Sequence, residues 1–173
     1  MFSIIVLIVF LNLASSSHLD DCQVGLSFRN ESMNKFKTFE FKYNEPKETE
    51  VLRTKVYFKY PKPVFSVYNS PHQIVFGRYN HSTNFAIFKS HDDFLKVRNP
   101  CVFKEHIHNF SGTKYVEAIF ILEKKGRFTV IVDDDMVLMC ETGYIFDFAN
   151  ITSIYISYSG STPNVFFYDC PLC

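Results

Sequence analysis

Arg78, Tyr79, His81 and Asn84 fall within one short stretch and combine a forked cation, an aromatic ring, an imidazole and a carboxamide. That set suits a hydroxyl-rich ligand, because the guanidinium offers bidentate donors and the ring stacks on apolar faces. The stretch is also marked for modification. Asn80-His81-Ser82 fits the N-glycosylation acceptor pattern, so a glycan there could shield the same surface. Asn30-Glu31-Ser32, Asn109-Phe110-Ser111 and Asn150-Ile151-Thr152 fit it as well.

Other candidate chemistry is weaker. His106 and His108 share one face if their segment is extended, and with His91, Asp92 or Asp93 they have the ligand types of a transition-metal site. Two imidazoles on a loop are more often solvated, so no metal is assigned. Asp133, Asp134 and Asp135 lack the alternating ligands and glycine of a calcium loop and read as hairpin chemistry. There is no G-x-S-x-G elbow, no H-E-x-x-H and no glycine-rich phosphate loop in a chain with only 6 glycines. Glu105 with Glu117, or Glu123 with Asp147, would make an acid pair for glycoside hydrolysis only at a fixed carboxyl separation. The expectation is a binding protein, not an enzyme, with no cofactor.

Glycosylation acceptors matter only in a chain that enters the secretory route, and the N-terminus supplies the means. Ile4 to Leu13 is apolar apart from Asn12, and the small residues Ala14, Ser15, Ser16 and Ser17 form a cleavage zone. The run is too short to span a bilayer. A signal peptide over residues 1–17, then one domain over residues 18–173 destined for the extracellular space, is the expected organisation.

In that oxidising compartment the five cysteines, Cys22, Cys101, Cys140, Cys170 and Cys173, are expected to be bridged rather than free. Their pairing cannot be read from the letters. Cys170-Pro171-Leu172-Cys173 has C-x-x-C spacing, yet it lacks the cytosolic βαβ context of a redox pair. A terminal staple tying the last strand to Cys22 is the preferred alternative. An odd count leaves one thiol that could link two chains as a dimer. Equal numbers of cations and anions, 18 each, give no net field to favour nucleic acid.

The elements that must position these groups are strands. With 20 Phe, 10 Tyr and no Trp, the composition favours pleated, half-buried surfaces. Residues 37–43 alternate Phe39, Phe41 and Tyr43 with polar neighbours, the period of a strand with one wet face. Similar runs cover 55–60, 64–68, 73–79, 84–88, 116–123, 127–132, 136–140, 144–148, 152–158 and 164–168, separated by turn signals. The segment from Phe128 to Cys140, folding back at the three aspartates, predicts a hairpin. The one helical turn expected lies around His91 to Lys96, capped by Ser90. An all-β antiparallel sandwich of two sheets follows.

The order of these strands resembles the galectin family of jelly-roll lectins, over roughly residues 64–168. Val64-Phe65-Ser66-Val67 is similar to the family's "FSINL" strand, and Ile74 to Tyr79 stands where the family has a strand ending in His-x-Asn-Pro-Arg. Asn84-Phe85-Ala86-Ile87-Phe88 matches the next sugar-facing strand. Phe128-Thr129-Val130-Ile131-Val132-Asp133-Asp134 resembles the "F-x-V-x-V-N-G" hairpin, and Ile151 to Ser157 with Gly160 resembles the "I-x-x-I-x-I-x-G" strand. The resemblance implies a two-sheet lectin fold whose partners are glycans or glycoproteins, with Arg78 as the residue carried over. Val75, Phe76 and Gly77 replace the rest of the motif and Lys89 falls near the family's Asn, which implies a degenerate galactoside site. Two alternatives come from the residues themselves: a lipocalin-like closed barrel carrying a small apolar ligand, and a structural or adhesive extracellular module.

Overall fold

The computed structural model describes residues 19–27, 34–36, 41–59, 63–69, 72–78, 85–104, 115–133, 136–147, 151–158 and 164–172. Twelve strands and one short helix lie among them. The strands are β1 (Gln23–Ser27), β2 (Asn34–Phe36), β3 (Glu50–Lys59), β4 (Pro63–Asn69), β5 (His72–Arg78) and β6 (Phe85–Phe88), followed by helix α1 (His91–Lys96). Then come β7 (Val102–Lys104), β8 (Tyr115–Glu123), β9 (Arg127–Val132), β10 (Met136–Glu141), β11 (Ile151–Tyr158) and β12 (Asn164–Cys170). They form two six-stranded antiparallel sheets, ordered β1-β12-β3-β8-β9-β10 and β2-β11-β4-β5-β6-β7. The protein is an all-β sandwich.

The period-two pattern explains both layers. Along β10 the residues are buried and exposed in strict alternation, and β8 alternates similarly over its first half. Inward residues of both sheets meet in a single core that includes Phe58, Phe120, Phe128 and Phe166 of the first sheet with Phe65, Phe76, Ile74 and Ile154 of the second. The expected hairpin pairs Phe128 with Cys140 and Val132 with Met136. Asp133 sits at φ 47, and its carboxylate accepts the Glu117 N–H at 3.0 Å, so it joins the hairpin to β8.

A closed barrel is not what these sheets form. β1 and β10 edge one sheet, β2 and β7 edge the other, and aromatic rings fill the space between the layers where a lipocalin-type lumen would lie.

Two disulfides staple the sandwich, one within a sheet and one between the sheets. Cys22–Cys170 fastens the entry to β1 onto the end of β12, as a terminal staple, across a sequence separation of 148. Cys101–Cys140 joins the segment entering β7 in one sheet to β10 in the other. The C-x-x-C redox reading fails, because Cys170 is bonded to Cys22. Cys173 lies outside the described residues and has no further cysteine in the chain to pair with.

Two expected strands differ. In 37–43 the described end, 41–43, is a turn: the Lys42 and Tyr43 N–H groups donate to the Asp169 carboxylate at 2.6 and 2.7 Å, so a buried side chain takes the place of a neighbouring strand. In 144–148 the described residues 144–147 are irregular. There Phe146 N–H donates to Lys124 O, and the Thr142 hydroxyl, which accepts the Tyr144 N–H, donates to Gly126 O, binding the segment to the β8–β9 turn. Gly126 in that turn has φ +88 and lies against the Tyr144 carbonyl, where a Cβ would collide. β2 and β7, three residues each, are too short for a periodic signal to stand out, and β1 is a further strand outside the expected runs.

Candidate functional site

The second sheet's outward face gathers the groups most suited to recognition. Alternation sends Phe65, Val67, Ile74, Phe76, Phe85 and Ile87 into the core, and it leaves Val64, Ser66, Tyr68, Gln73, Val75, Gly77, Ala86 and Phe88 on the other side. Cross-strand pairing extends this face through Tyr155, opposite Ser66, to β11.

The face has two halves. On the β11 side, Tyr155, Tyr68 and Gln73 are partly exposed, and the Gln73 carboxamide donates to the buried Ser66 hydroxyl at 2.7 Å. Tyrosine rings supply apolar plates with a polar rim, while the amide oxygen and hydroxyl supply hydrogen-bonding groups. At the start of β5, His72 stacks on Tyr144 with ring centroids 3.7 Å apart and 11° between planes. On the β6 side the residues are apolar and covered. Val64, Val75, Ala86 and Phe88 form a small cluster closed by Phe94 of α1, whose ring lies 5.5 Å from that of Phe88 at 73°.

Helix α1 forms where Ser90 predicts it. Ser90 is extended, and its hydroxyl accepts the Asp93 N–H at 3.1 Å and donates to the Asp93 carboxylate at 2.8 Å. Asp92 pairs with Lys96 and Arg98, and Asp93 with Arg98. Hydrogen bonds from Lys96 to Asp92 and from Ser90 to Asp93 hold both carboxyls below the usual range, with Arg98 reinforcing both. These aspartates are thus engaged with cations and a cap. His106 and His108, their expected companions in a metal site, lie outside the described residues.

Arg78 is the last residue of β5 and pairs with Phe85. Its side chain lies outside the described residues, as do Tyr79, His81 and Asn84 and the four acceptors Asn30, Asn80, Asn109 and Asn150. The structure instead brings together Tyr68, Tyr155, Ser66 and Gln73, which sequence reasoning did not single out. Their signal was the polar phase of the alternation in β4, β5 and β11, legible only once the sheet order was known.

Of the carboxylates considered for catalysis, Glu117 receives the Tyr57 hydroxyl and lies 3.4 Å from Lys55. Glu123 lies 3.7 Å from Arg127. Both are held in cross-strand or turn ion pairs on the other sheet, where they brace strands.

Among the described residues, no helix is long and apolar enough to cross a membrane. No protein-family model matches the chain, and no curated protein matches it.

Proposed function

We propose that this chain is a secreted, glycosylated, disulfide-stapled binding module of galectin-like architecture, with glycans or glycoproteins as its ligands. The observation that carries this reading is the open half of the second sheet's outward face. There two tyrosine rings, Tyr68 of β4 and Tyr155 of β11, flank the Ser66–Gln73 pair toward the His72 end of β5. A ring under an apolar sugar face, with amide and hydroxyl groups at the sugar's rim, is the usual chemistry of shallow carbohydrate recognition. The two disulfides support an oxidising destination. A flat site implies weak monovalent affinity that is useful when repeated. The test is a glycan array probed with the oxidised chain made through a secretory route. Binding that Tyr155→Ala and Tyr68→Ala each abolish is expected, and silence on every glycan overturns the reading.

The adhesive-module reading is favoured by a different observation. β1 is an edge strand, and its Val24 and Leu26 are 59% and 49% exposed. A second chain seated there would be joined by the leftover thiol. Non-reducing electrophoresis showing a thiol-sensitive dimer is its expected signature, and a monomer at all concentrations removes it.

A further inference from the structure

Three segments meet at one end of the sandwich. Residues 47–50 lead into β3, residues 123–127 form the β8–β9 turn, and residues 142–146 follow β10. Lys124 N–H donates to Thr49 O at 2.9 Å and Phe146 N–H to Lys124 O at 2.9 Å, so the turn is bonded on both sides.

Ile145 stands out of this bonded end with 86% exposure, the highest of any large apolar residue among those described. Single exposed apolar side chains are ordinary, but this one is held out on a fixed support. Buried Thr142 donates its hydroxyl to Gly126 O at 2.7 Å, the Tyr144 ring stacks on His72 at 3.7 Å, and Phe146 is buried in the core. Both chain neighbours of Ile145 are therefore pinned, so meeting a partner orders little that is not already ordered.

Beside it lies a hollow of about 420 Å³ lined by Glu48, Thr49, Glu123, Lys124, Lys125 and Arg127. The Lys124 ammonium donates to Glu48 O at 2.6 Å, and the Arg127 guanidinium donates to Glu141 at 2.6 Å and lies 3.7 Å from Glu123. With those heads engaged, the methylene stems are what these side chains offer a visitor. Glu48 and Lys125 differ from the other charged groups of the lining. Both are exposed, and neither side chain has an ion pair or hydrogen bond among the described residues.

We propose that this end is the contact surface for a second copy of the chain, in a two-fold dimer where each Ile145 enters the hollow of the other copy and each Glu48 pairs with the partner's Lys125. The charges choose the occupant. A nucleic acid or an anionic membrane would need an excess of cations here, whereas the free groups are one carboxylate and one ammonium. A two-fold axis matches such a pair with itself, because each residue meets its complement on the other copy. A knob and a hollow side by side meet the same condition. The contact is small, below roughly 1,200 Å², so the dimer forms reversibly. It uses neither β1 nor Cys173, and it leaves the outward face of the second sheet open on both copies, so a silent glycan array leaves it standing.

The experiment uses the full oxidised chain carrying Cys173→Ser, so that no thiol bridge contributes, and follows sedimentation equilibrium over a concentration series. A reversible monomer–dimer equilibrium is expected. Ile145→Ser should weaken it at least about tenfold with circular dichroism unchanged, as loss of a central apolar anchor does. Lys125→Glu sets a carboxylate against the partner's Glu48 and should also weaken it at least about tenfold, as should Glu48→Lys. The double exchange, Glu48→Lys with Lys125→Glu, should restore the parent's affinity, a recovery that neither damage to the fold nor an unrelated contact would produce. A parent that stays monomeric at every concentration, a dimer unmoved by Ile145→Ser, or a double exchange no tighter than either single change overturns the proposal.

Discussion

Phe65 of β4 and Phe120 of β8 stack face to face across the two sheets, with ring centroids 3.7 Å apart and planes 6° from parallel. Each contributes from a different layer, so their contact is sheet-to-sheet cohesion at its most concentrated. Phe76 meets Phe120 edge-on at 5.4 Å, and Phe128 stacks on both Phe65 and Phe120 at longer range. Phe120→Ala should therefore destabilise by about 3–5 kcal/mol, since a ring-sized void between layers cannot collapse without moving both sheets. Ile145→Ser, at a position 86% exposed, should change stability by no more than about 0.5 kcal/mol. Urea titration of the two variants checks this, and similar midpoints would remove Phe120 from the centre of the core.

Asp169 is buried in a left-handed conformation at φ 51, and its carboxylate accepts Lys42 N–H, Tyr43 N–H and the Gln23 carboxamide at 2.6, 2.7 and 2.9 Å. Asp169→Ala orphans these donors and places alanine in a strained backbone, so a loss on the order of 2–4 kcal/mol is expected. Asp169→Asn keeps one acceptor oxygen and a residue tolerant of that conformation, and should lose less. Thermal melts of the pair decide, and equal losses would show that charge rather than acceptor geometry holds the turn.

Peptide mapping of the unreduced, alkylated chain should find Cys22 joined to Cys170 and Cys101 to Cys140. The remaining thiol, Cys173, should be alkylated in a monomer or bridged in a dimer. Replacing Cys101 and Cys140 together by serine should lower stability by about 2–5 kcal/mol, because the bridge ties one sheet to the other. Recovery of a Cys170–Cys173 linkage would contradict the staple.

Acid should loosen the protein locally before it unfolds it. The Arg53 guanidinium hydrogen-bonds Glu50 and, with the Lys47 N–H, holds its carboxyl below the ordinary 4.5, against the opposing pull of burial. A folded-state value below the unfolded one means that the unfolded chain binds the extra proton, so this contribution is complete above pH 4.5 and fades as pH falls through the folded value. Asp92 and Asp93 follow the same sign from an ordinary 3.8. Glu50→Gln should flatten the acid limb of a stability-against-pH curve. A limb as steep as the parent's would assign the acid sensitivity to other groups.

The strands of the hairpin from Phe128 to Cys140, and the helix capped by Ser90, were legible in the letters because each depends on local information: a two-residue period, a turn of aspartates, a capping hydroxyl. Residues 41–43 and 144–147 were misread for the converse reason. Their aromatic residues have a strand's composition, but their N–H groups are satisfied by Asp169, 126 residues or more away in sequence, and by the carbonyl of Lys124. The candidate group around Arg78 consists of neighbours in sequence, whereas the proposed recognition face is made by neighbours across the ladder, Tyr155 beside Ser66 and Ser66 beside Val75.

By itself the sequence determined that this chain builds antiparallel layers, since alternation of Phe, Val and Ile with polar residues is a property of each strand alone. Only the tertiary structure decided which cysteines meet, which strands become neighbours, and that Phe94 fills the space left by Gly77. Those outcomes depend on contacts between distant segments, whose geometry is fixed only when both sheets close over a common core.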